Sequence, residues 1–304
     1  MKIFVQLAAA VFAVTSIAQA QVVTLSREQM IRYTSQNPFE RFPDGRPKVP
    51  DSVLDKVRGL SSEEVLAISR RGYPNQFADG FQLLHPGKKL VGRAVTIQFM
   101  PRRPDVADAD SAEWKAQGRG RLANQSAIDL LQPGDVLVVD AGGGKWGGGI
   151  IGDNLAYYIW KKTGAGFVID GAIRDLEGIT EYDMAGYFRE ATPPALSNLM
   201  VRGINIPVRI GNTTVMPGDV VLGDREGVYF IPPHLVQEVV DAAEITHIHD
   251  EWTRKKFDEG NYKSSDIYSR PSDPALLKEY DEYLKQKLGP KAYDAYKKRQ
   301  AGQR

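Results

Sequence analysis

The stretch GGGKWGGGIIGDNLAYYIWKKTGAGFVIDGAIRD, residues 142–175, decides the fold and poses the functional question. Seven of its first eleven residues are glycine. DNLAYYIWKK then reads as a helix. Asp153 caps it, Leu155, Tyr158, Ile159 and Lys162 recur at helical spacing, Lys161 and Lys162 sit near its negative end, and Gly164 stops it. GFVID follows as a strand, and DVLVVD, introduced by the turn QPGD, precedes the glycines as another. Strand, glycine loop, helix and strand together predict an α/β unit.

That unit is also how phosphates are held, so two nucleotide readings need testing. The mononucleotide loop fails at once, because Lys145 is followed by Trp146 where a Ser or Thr must meet magnesium. Gly142, Gly144 and Gly147 match the dinucleotide spacing, with Asp170 where a ribose-binding acid would lie. Against it, the helix opens several residues after the last fingerprint glycine. Its cap is an Asp, where a pyrophosphate needs bare amides. A plainer reading is a crossing loop whose glycines let backbones pack closely.

Outward from this stretch the α/β pattern runs from about residue 90 to 232. LVGRAVTIQF reads as a strand, and VMPGDVVLGDREGVYFIP as two strands around a DREG turn. PGDVVLGD echoes PGDVLVVD, which predicts similar roles in one sheet. SSEEVLAIS carries a Ser with Glu two and three residues later, a capping-box helix start. Residues 21–50, punctuated by the four prolines of NPFERFPDGRPKVP, read as an extended arm lying on a surface. Residues 233–304 read as one long amphipathic helix and one or two more, with regular tyrosines that pack on the body or on a neighbouring subunit.

The first twenty residues, MKIFVQLAAAVFAVTSIAQA, place one Lys before an apolar and small-residue run ending in Ala18-Gln19-Ala20. This is the layout of a cleaved secretory signal, so the expected location is periplasmic or secreted, with no membrane attachment after cleavage. The mature chain of 284 residues then carries 38 basic and 38 acidic side chains, a balance that argues against nucleic acid as a partner. Cysteine is absent, which excludes disulfides, zinc–thiolate sites and thiol nucleophiles. The expected organisation is a signal peptide (1–20), an N-terminal arm (21–60), an α/β domain (61–260) and a C-terminal helical extension (261–304).

Asp153 and Arg174 stand apart by twenty intervening residues, and Asp175 follows directly. With HPGKKLVGRAVTI, PGDVLVVDAGGG, GDNLA, GFVIDGAIRD and MPGDVVLGDREGVYFIP in order, residues 80–260 resemble the class II pyruvate aldolases. Those enzymes cleave 4-hydroxy-4-methyl-2-oxoglutarate and 4-carboxy-4-hydroxy-2-oxoadipate. Their fold family includes the regulator of ribonuclease activity A. The resemblance implies an α/β fold with layered β/β/α organisation, like the swivelling phosphohistidine domains, around a small mixed sheet. It also implies a homotrimer or homohexamer with sites between subunits.

For the site, the resemblance implies that Asp175 is the single protein carboxylate on a divalent cation, Mg2+ or Mn2+, with waters in the remaining positions. Arg174 is then the fixed cation beside the ketone and developing enolate oxygen. Gly152, Asp153, Asn154 and Leu155 present helix-start amides to the carboxylate of a 2-oxo acid. Asp153 is the catalytic acid–base candidate, pointing away from that anion to orient a metal-bound water or Arg174. The activity implied is release of pyruvate from a 4-hydroxy-2-oxo acid, with oxaloacetate decarboxylation as a side activity through the same enolate.

Two other outcomes stay open: a noncatalytic binding or regulatory protein on the same scaffold, and a related metal-dependent enzyme acting on an unfamiliar exported substrate. The ribonuclease-regulating branch lacks the Asp after the Arg, and Asp175 is present here. For an isolated Arg174-Asp175 pair, a turn salt bridge is the simpler reading. Asp224 and Glu226 read as a polar hairpin turn in preference to outer-shell water ligands. His247 and His249, two apart on a helix, point to different sides and read as solvated. Residues 176–200 match the family loosely and are expected to shape the far end of the pocket.

Overall fold

A computed structural model describes residues 24–69 and 72–302, with side chains left aside at 67–71 and 302. The proposed signal peptide lies outside the described residues. Eleven strands occur among them: β1 (Phe77–Ala78), β2 (Gln82–Leu83), β3 (Leu90–Pro101), β4 (Asp135–Asp140), β5 (Gly166–Ile173), β6 (Ala185–Ala191), β7 (Leu199–Ile204), β8 (Val208–Ile210), β9 (Thr213–Val215), β10 (Val220–Gly223) and β11 (Val228–Ile231). The α-helices are α1 (Arg27–Tyr33), α2 (Asp51–Arg58), α3 (Ser62–Ser69), α4 (Pro104–Ala116), α5 (Gln125–Ile128), α6 (Asp153–Thr163), α7 (Leu176–Thr180), α8 (Val236–Asp258), α9 (Ser264–Ile267), α10 (Pro274–Leu288) and α11 (Pro290–Gly302).

β3 is the strut of a nine-stranded mixed sheet ordered β1-β11-β10-β3-β4-β5-β6-β2, with β7 also on β3. Its first residues pair antiparallel with β10, its last pair antiparallel with β7, and Arg93 to Gln98 pair parallel with β4. β4, β5 and β6 continue in parallel through the crossovers α6 and α7. The two PGD segments therefore feed the strands that flank β3, as their likeness predicts.

Alternation along β4 builds two cores. Leu137 and Val139 pack with Phe167 and Ile169 under Ile128, Ala156, Ile159 and Ile179 of the helices. Val136 and Val138 pack with Val168 under Val208, Ile210 and Val215 of the separate β8–β9 hairpin. Hairpin, sheet and helices form the β/β/α layering that the resemblance implies. Each such buried Val, Leu, Ile or Phe contributes roughly 1.5–3 kcal/mol. A third cluster joins α2, α3 and α8 to β10 and β11. Trp252 of α8 collects Tyr280, Leu284 and Tyr293 from the C-terminal helices, so these tyrosines pack on α8 and on one another.

The N-terminal segment departs from the extended reading. Residues Arg27–Tyr33 form α1, started by a reciprocal capping box between Ser26 and Gln29. Proline spacing does not report this start; the Ser-x-x-Gln pattern does. Beyond it Arg46 dives into the core, 2% exposed, and grips Asp135 at 3.0 and 2.9 Å. Arg93 meets the same carboxylate at 3.3 Å and bridges to Asp51 at 2.8 Å. A fully buried carboxylate needs such partners, and they fasten this segment to the sheet. The capping box predicted at α3 is present, with Ser61 N–H donating to Glu64 Oε2 at 2.7 Å.

Candidate active site

The carboxyl ends of parallel strands are where open α/β sheets place their ligands. The glycine loop leaves the end of β4, and Arg174 and Asp175 leave the end of β5. The loop runs beside residues 194–197: Gly149 N–H donates to Pro194 O, and Ser197 N–H to Gly147 O, both at 2.9 Å. A β-carbon on Gly148, whose φ is +75°, would stand 2.3 Å from Ala195 O. Close backbone packing thus accounts for this part of the loop. Asp170 is occupied as well, by Arg189 Nε at 2.6 Å and by Gly211 N–H at 2.7 Å. No ribose can use it without breaking a half-buried ion pair, so the dinucleotide reading falls.

Gly152 serves the site directly. A β-carbon there would lie 2.3 Å from Asp175 Oδ2 and 3.1 Å from the Arg174 guanidinium carbon. Its bare Cα lets that pair close over the start of α6, with Arg174 Nη1 3.0 Å from Asp175 Oδ2. Arg174 N–H also donates to Ile151 O at 2.9 Å, which locks the strand end to the loop. Asp175 sits at φ +56° and ψ +42°, left-handed backbone that an Asp adopts at a cost, and begins α7. Asn198, across the cavity, also has positive φ. Such conformations collect at functional sites.

α6 corrects one detail of the sequence reading. Its N-cap is Gly152, and Asp153 is the first helical residue. Asp153 Oδ1 accepts from Asn154 N–H at 2.7 Å. The N–H groups of Gly152, Asp153 and Leu155 have no hydrogen-bond partner among the described residues and form the positive end of the helix. The Asp153 side chain turns towards Gly178 of α7. It also lies near Tyr182, whose phenol burial and then the Asp153 charge push up. Asp153 makes no hydrogen bond to Arg174, whose side chain donates to Asp175.

These groups meet at a cavity of about 1020 Å³. Gly152, Asn154, Leu155 and Arg174 line it; Asp153 and Asp175 stand just outside its wall. Opposite lie Arg102 just past the end of β3, Lys115 of α4, and Arg119 and Arg121 of the loop after it. Of the segment 176–200 expected to shape the pocket, only residues 195–200 line it, with Val201 beyond them. Arg119 lies over the Trp114 ring at 4.2 Å. Asn124, nearly buried, donates to Ile150 O at 2.6 Å and pins the loop floor. Sequence reasoning missed α4 and its basic loop. The available signal was position, since both follow the carboxyl end of β3.

Other sequence candidates fall elsewhere. Asp224 caps a neighbour, accepting from Ser62 N–H at 2.7 Å and Glu226 N–H at 2.9 Å. Burial opposes its ionisation, yet the Ser62, Glu226 and Gly227 amides together hold its carboxyl below the usual range. His247 pairs with Glu64 while staying about half exposed, as a solvated reading expects, and His249 meets Tyr268 O at 3.1 Å. Among the described residues no three His, Asp or Glu side chains gather as a metal cluster. No described helix is long and apolar enough to cross a membrane.

A family model described as RraA-like, Aldolase/RraA, matches residues 53–230. A protein of Halalkalibacterium halodurans, provisionally named a 4-hydroxy-4-methyl-2-oxoglutarate aldolase, is 32% identical over 168 residues, 55% of this chain and 71% of that one. The Thermus thermophilus protein named 4-hydroxy-4-methyl-2-oxoglutarate aldolase is 34% identical over 99 residues, 33% of this chain and 60% of that one. Among solved structures, Streptomyces coelicolor RraAS2 matches with a TM-score of 0.59 at 32% identity, over 71% of this chain and 99% of its own. It is described as an unusual member of the RNase ES inhibitor RraA protein family. A Pseudomonas syringae protein shares the fold at a TM-score of 0.57 and 22% identity, over 74% of this chain and 94% of its own.

Proposed function

The chain belongs to the RraA-like (Aldolase/RraA) family, and from that premise we propose that it is a divalent-cation-dependent lyase releasing pyruvate from a 4-hydroxy-2-oxo acid. The observation that carries the reading is the Arg174-Asp175 pair closed over the bare Cα of Gly152, beside unpartnered helix-start amides at one cavity. The names of the aldolase relatives support the same reaction class.

The residues present fit a hard cation. Asp175 is a carboxylate one-third exposed, hydrogen-bonded through its side chain to Arg174, and no second carboxylate or imidazole completes a cluster among the described residues. One carboxylate plus waters is a donor set that Mg2+ or Mn2+ accepts. Bound there, the cation supplies Lewis-acid polarisation of the 2-oxo group.

The chain's own groups do the rest. The amides of Gly152, Asp153 and Leu155 grip the substrate carboxylate at the positive helix end. In the reaction the 4-hydroxyl gives its proton to water, the C3–C4 bond breaks to leave a carbonyl at C4, and its electron pair delocalises onto the 2-oxo oxygen. The resulting enolate takes a proton from water at C3 to give pyruvate. Arg174 stands where that oxygen gains charge, so its attraction is stronger at the transition state than in the ground state. Asp153 enters as a positioning residue that fixes the helix start. Oxaloacetate, which gives the same enolate on loss of carbon dioxide, is proposed as a second substrate.

A noncatalytic regulatory role is the second reading, favoured by the likeness to RraAS2. Pyruvate release by purified protein, with and without divalent cation and with Asp175→Asn, separates the two. An exported location and a homotrimeric or homohexameric state belong to the proposal. Cell fractionation with N-terminal sequencing tests the first, and light scattering of the purified protein tests the second.

A further inference from the structure

The two PGD turns differ in one respect. Each Asp caps its own turn: Asp135 Oδ2 accepts from Gln132 N–H at 2.9 Å, and Asp219 Oδ2 from Met216 N–H at 2.8 Å. Asp135 is neutralised by Arg46 and Arg93. Asp219 is equally deep, 3% exposed, yet its other oxygen accepts no hydrogen bond and no Lys, Arg or His pairs with it among the described residues. Burial pushes its carboxyl up to about 7, against the Met216 amide. A nearly buried carboxyl without a counter-charge is costly unless something supplies one.

Asp219 lines a second cavity, about 350 Å³, between the end of α1, residues 73–76 and residues 232–234. Among the described residues no Lys or Arg lines it, which favours a cation. Besides Asp219 its titratable walls are Tyr33, Tyr73 and His234. His234 is pushed down by burial, and its Nε2 lies 3.0 Å from Tyr73 Oη. Two described guanidiniums nearby are engaged: Arg32 lies over the Tyr33 ring at 5.0 Å, and Arg41 donates to Thr34 and Gly45. Gln76 donates its amide to Phe230 O at 2.7 Å, which leaves its Oε1 as an acceptor.

We propose that this cavity binds a small primary ammonium ligand, seated on Asp219 with Gln76 and Tyr73 as neutral acceptors. An –NH3+ group has three donors and supplies the charge that Arg46 and Arg93 give to Asp135. An anion meets an unpaired carboxylate here, and a neutral alcohol leaves the charge uncompensated. The site stands apart from Arg174 and Asp175, and the inference does not depend on the lyase reading.

Calorimetric titration of the full chain with n-butylammonium tests it, with n-butanol and butyrate as isosteric controls. Only the ammonium binds. Its apparent affinity rises about tenfold from pH 6 to pH 8, as the ionised fraction of Asp219 grows. Asp219→Asn keeps the acceptor for Met216 N–H but abolishes binding, whereas Asp175→Asn leaves binding intact. No binding by the wild type, binding of butanol as tightly as butylammonium, or a flat pH profile overturns the proposal. The wild-type pH profile decides the matter even if Asp219→Asn fails to fold.

Discussion

Asp175 Oδ2 and the α-carbon of Gly152 are so close that a β-carbon on Gly152 would stand 2.3 Å from that oxygen. Arg174 Nη1 holds the same oxygen at 3.0 Å and its guanidinium carbon would lie 3.1 Å from that β-carbon, so an added methyl group must displace the pair. Gly152→Ala is expected to lower kcat/KM for pyruvate release by about 100-fold, the scale of a misplaced reacting group. Gly152 has ordinary extended φ, so the fold survives, and an unchanged circular dichroism spectrum checks that.

Arg174 works through the direction of its guanidinium as much as through its charge. Arg174→Ala is expected to reduce kcat by about 10²–10³-fold, the loss typical of a removed oxyanion donor. Arg174→Lys keeps the charge but loses the fork that spans Asp175 and the cavity, and recovers a small part of that loss. Steady-state kinetics on the two variants checks the order.

The N-terminal segment is fastened by charge. Arg46→Ala leaves Asp135 with Arg93 alone, inside a site sealed from water. Breaking a buried pair in this way costs about 3–5 kcal/mol. Urea unfolding of the variant is expected to show that loss, with little change in the active-site residues.

Asp219 gives stability a pH dependence of known sign. Its carboxyl is pushed from an ordinary 3.8 up to about 7 by burial, so between those values the folded chain holds a proton that the unfolded chain has lost. Its contribution is full below pH 4 and declines as pH rises through 7. Asp219→Asn does not titrate. The stability of wild type relative to this variant is therefore expected to fall between pH 4 and pH 7, as measured by thermal unfolding across that range.

Much of this was legible in the sequence because it depends on local chemistry. The β-branched run DVLVVD, the Gly164 stop and the DREG turn act over a few residues, and each appears where its pattern placed it. Arg174 and Asp175 were legible because the strand before them ends at the sheet's carboxyl edge. What escaped was set by distant partners. Nothing near Arg46 announces Asp135, eighty-nine positions away. Nothing in RGRLAN announces that Asn124 reaches Ile150 across the loop. Asp153 looked like a cap because Asp usually is one, yet Gly152 takes that place, where only a bare Cα clears Asp175.

The most direct measurement is pyruvate formation by the purified mature protein from 4-carboxy-4-hydroxy-2-oxoadipate and from oxaloacetate. It is run with Mg2+, with Mn2+, with chelator, and with Asp175→Asn in parallel. The account predicts turnover that needs the cation, is abolished by chelation, returns on re-addition of metal, and is lost in the variant. Undiminished turnover in Asp175→Asn, or none from a folded, cation-supplied wild type on either substrate, would contradict it.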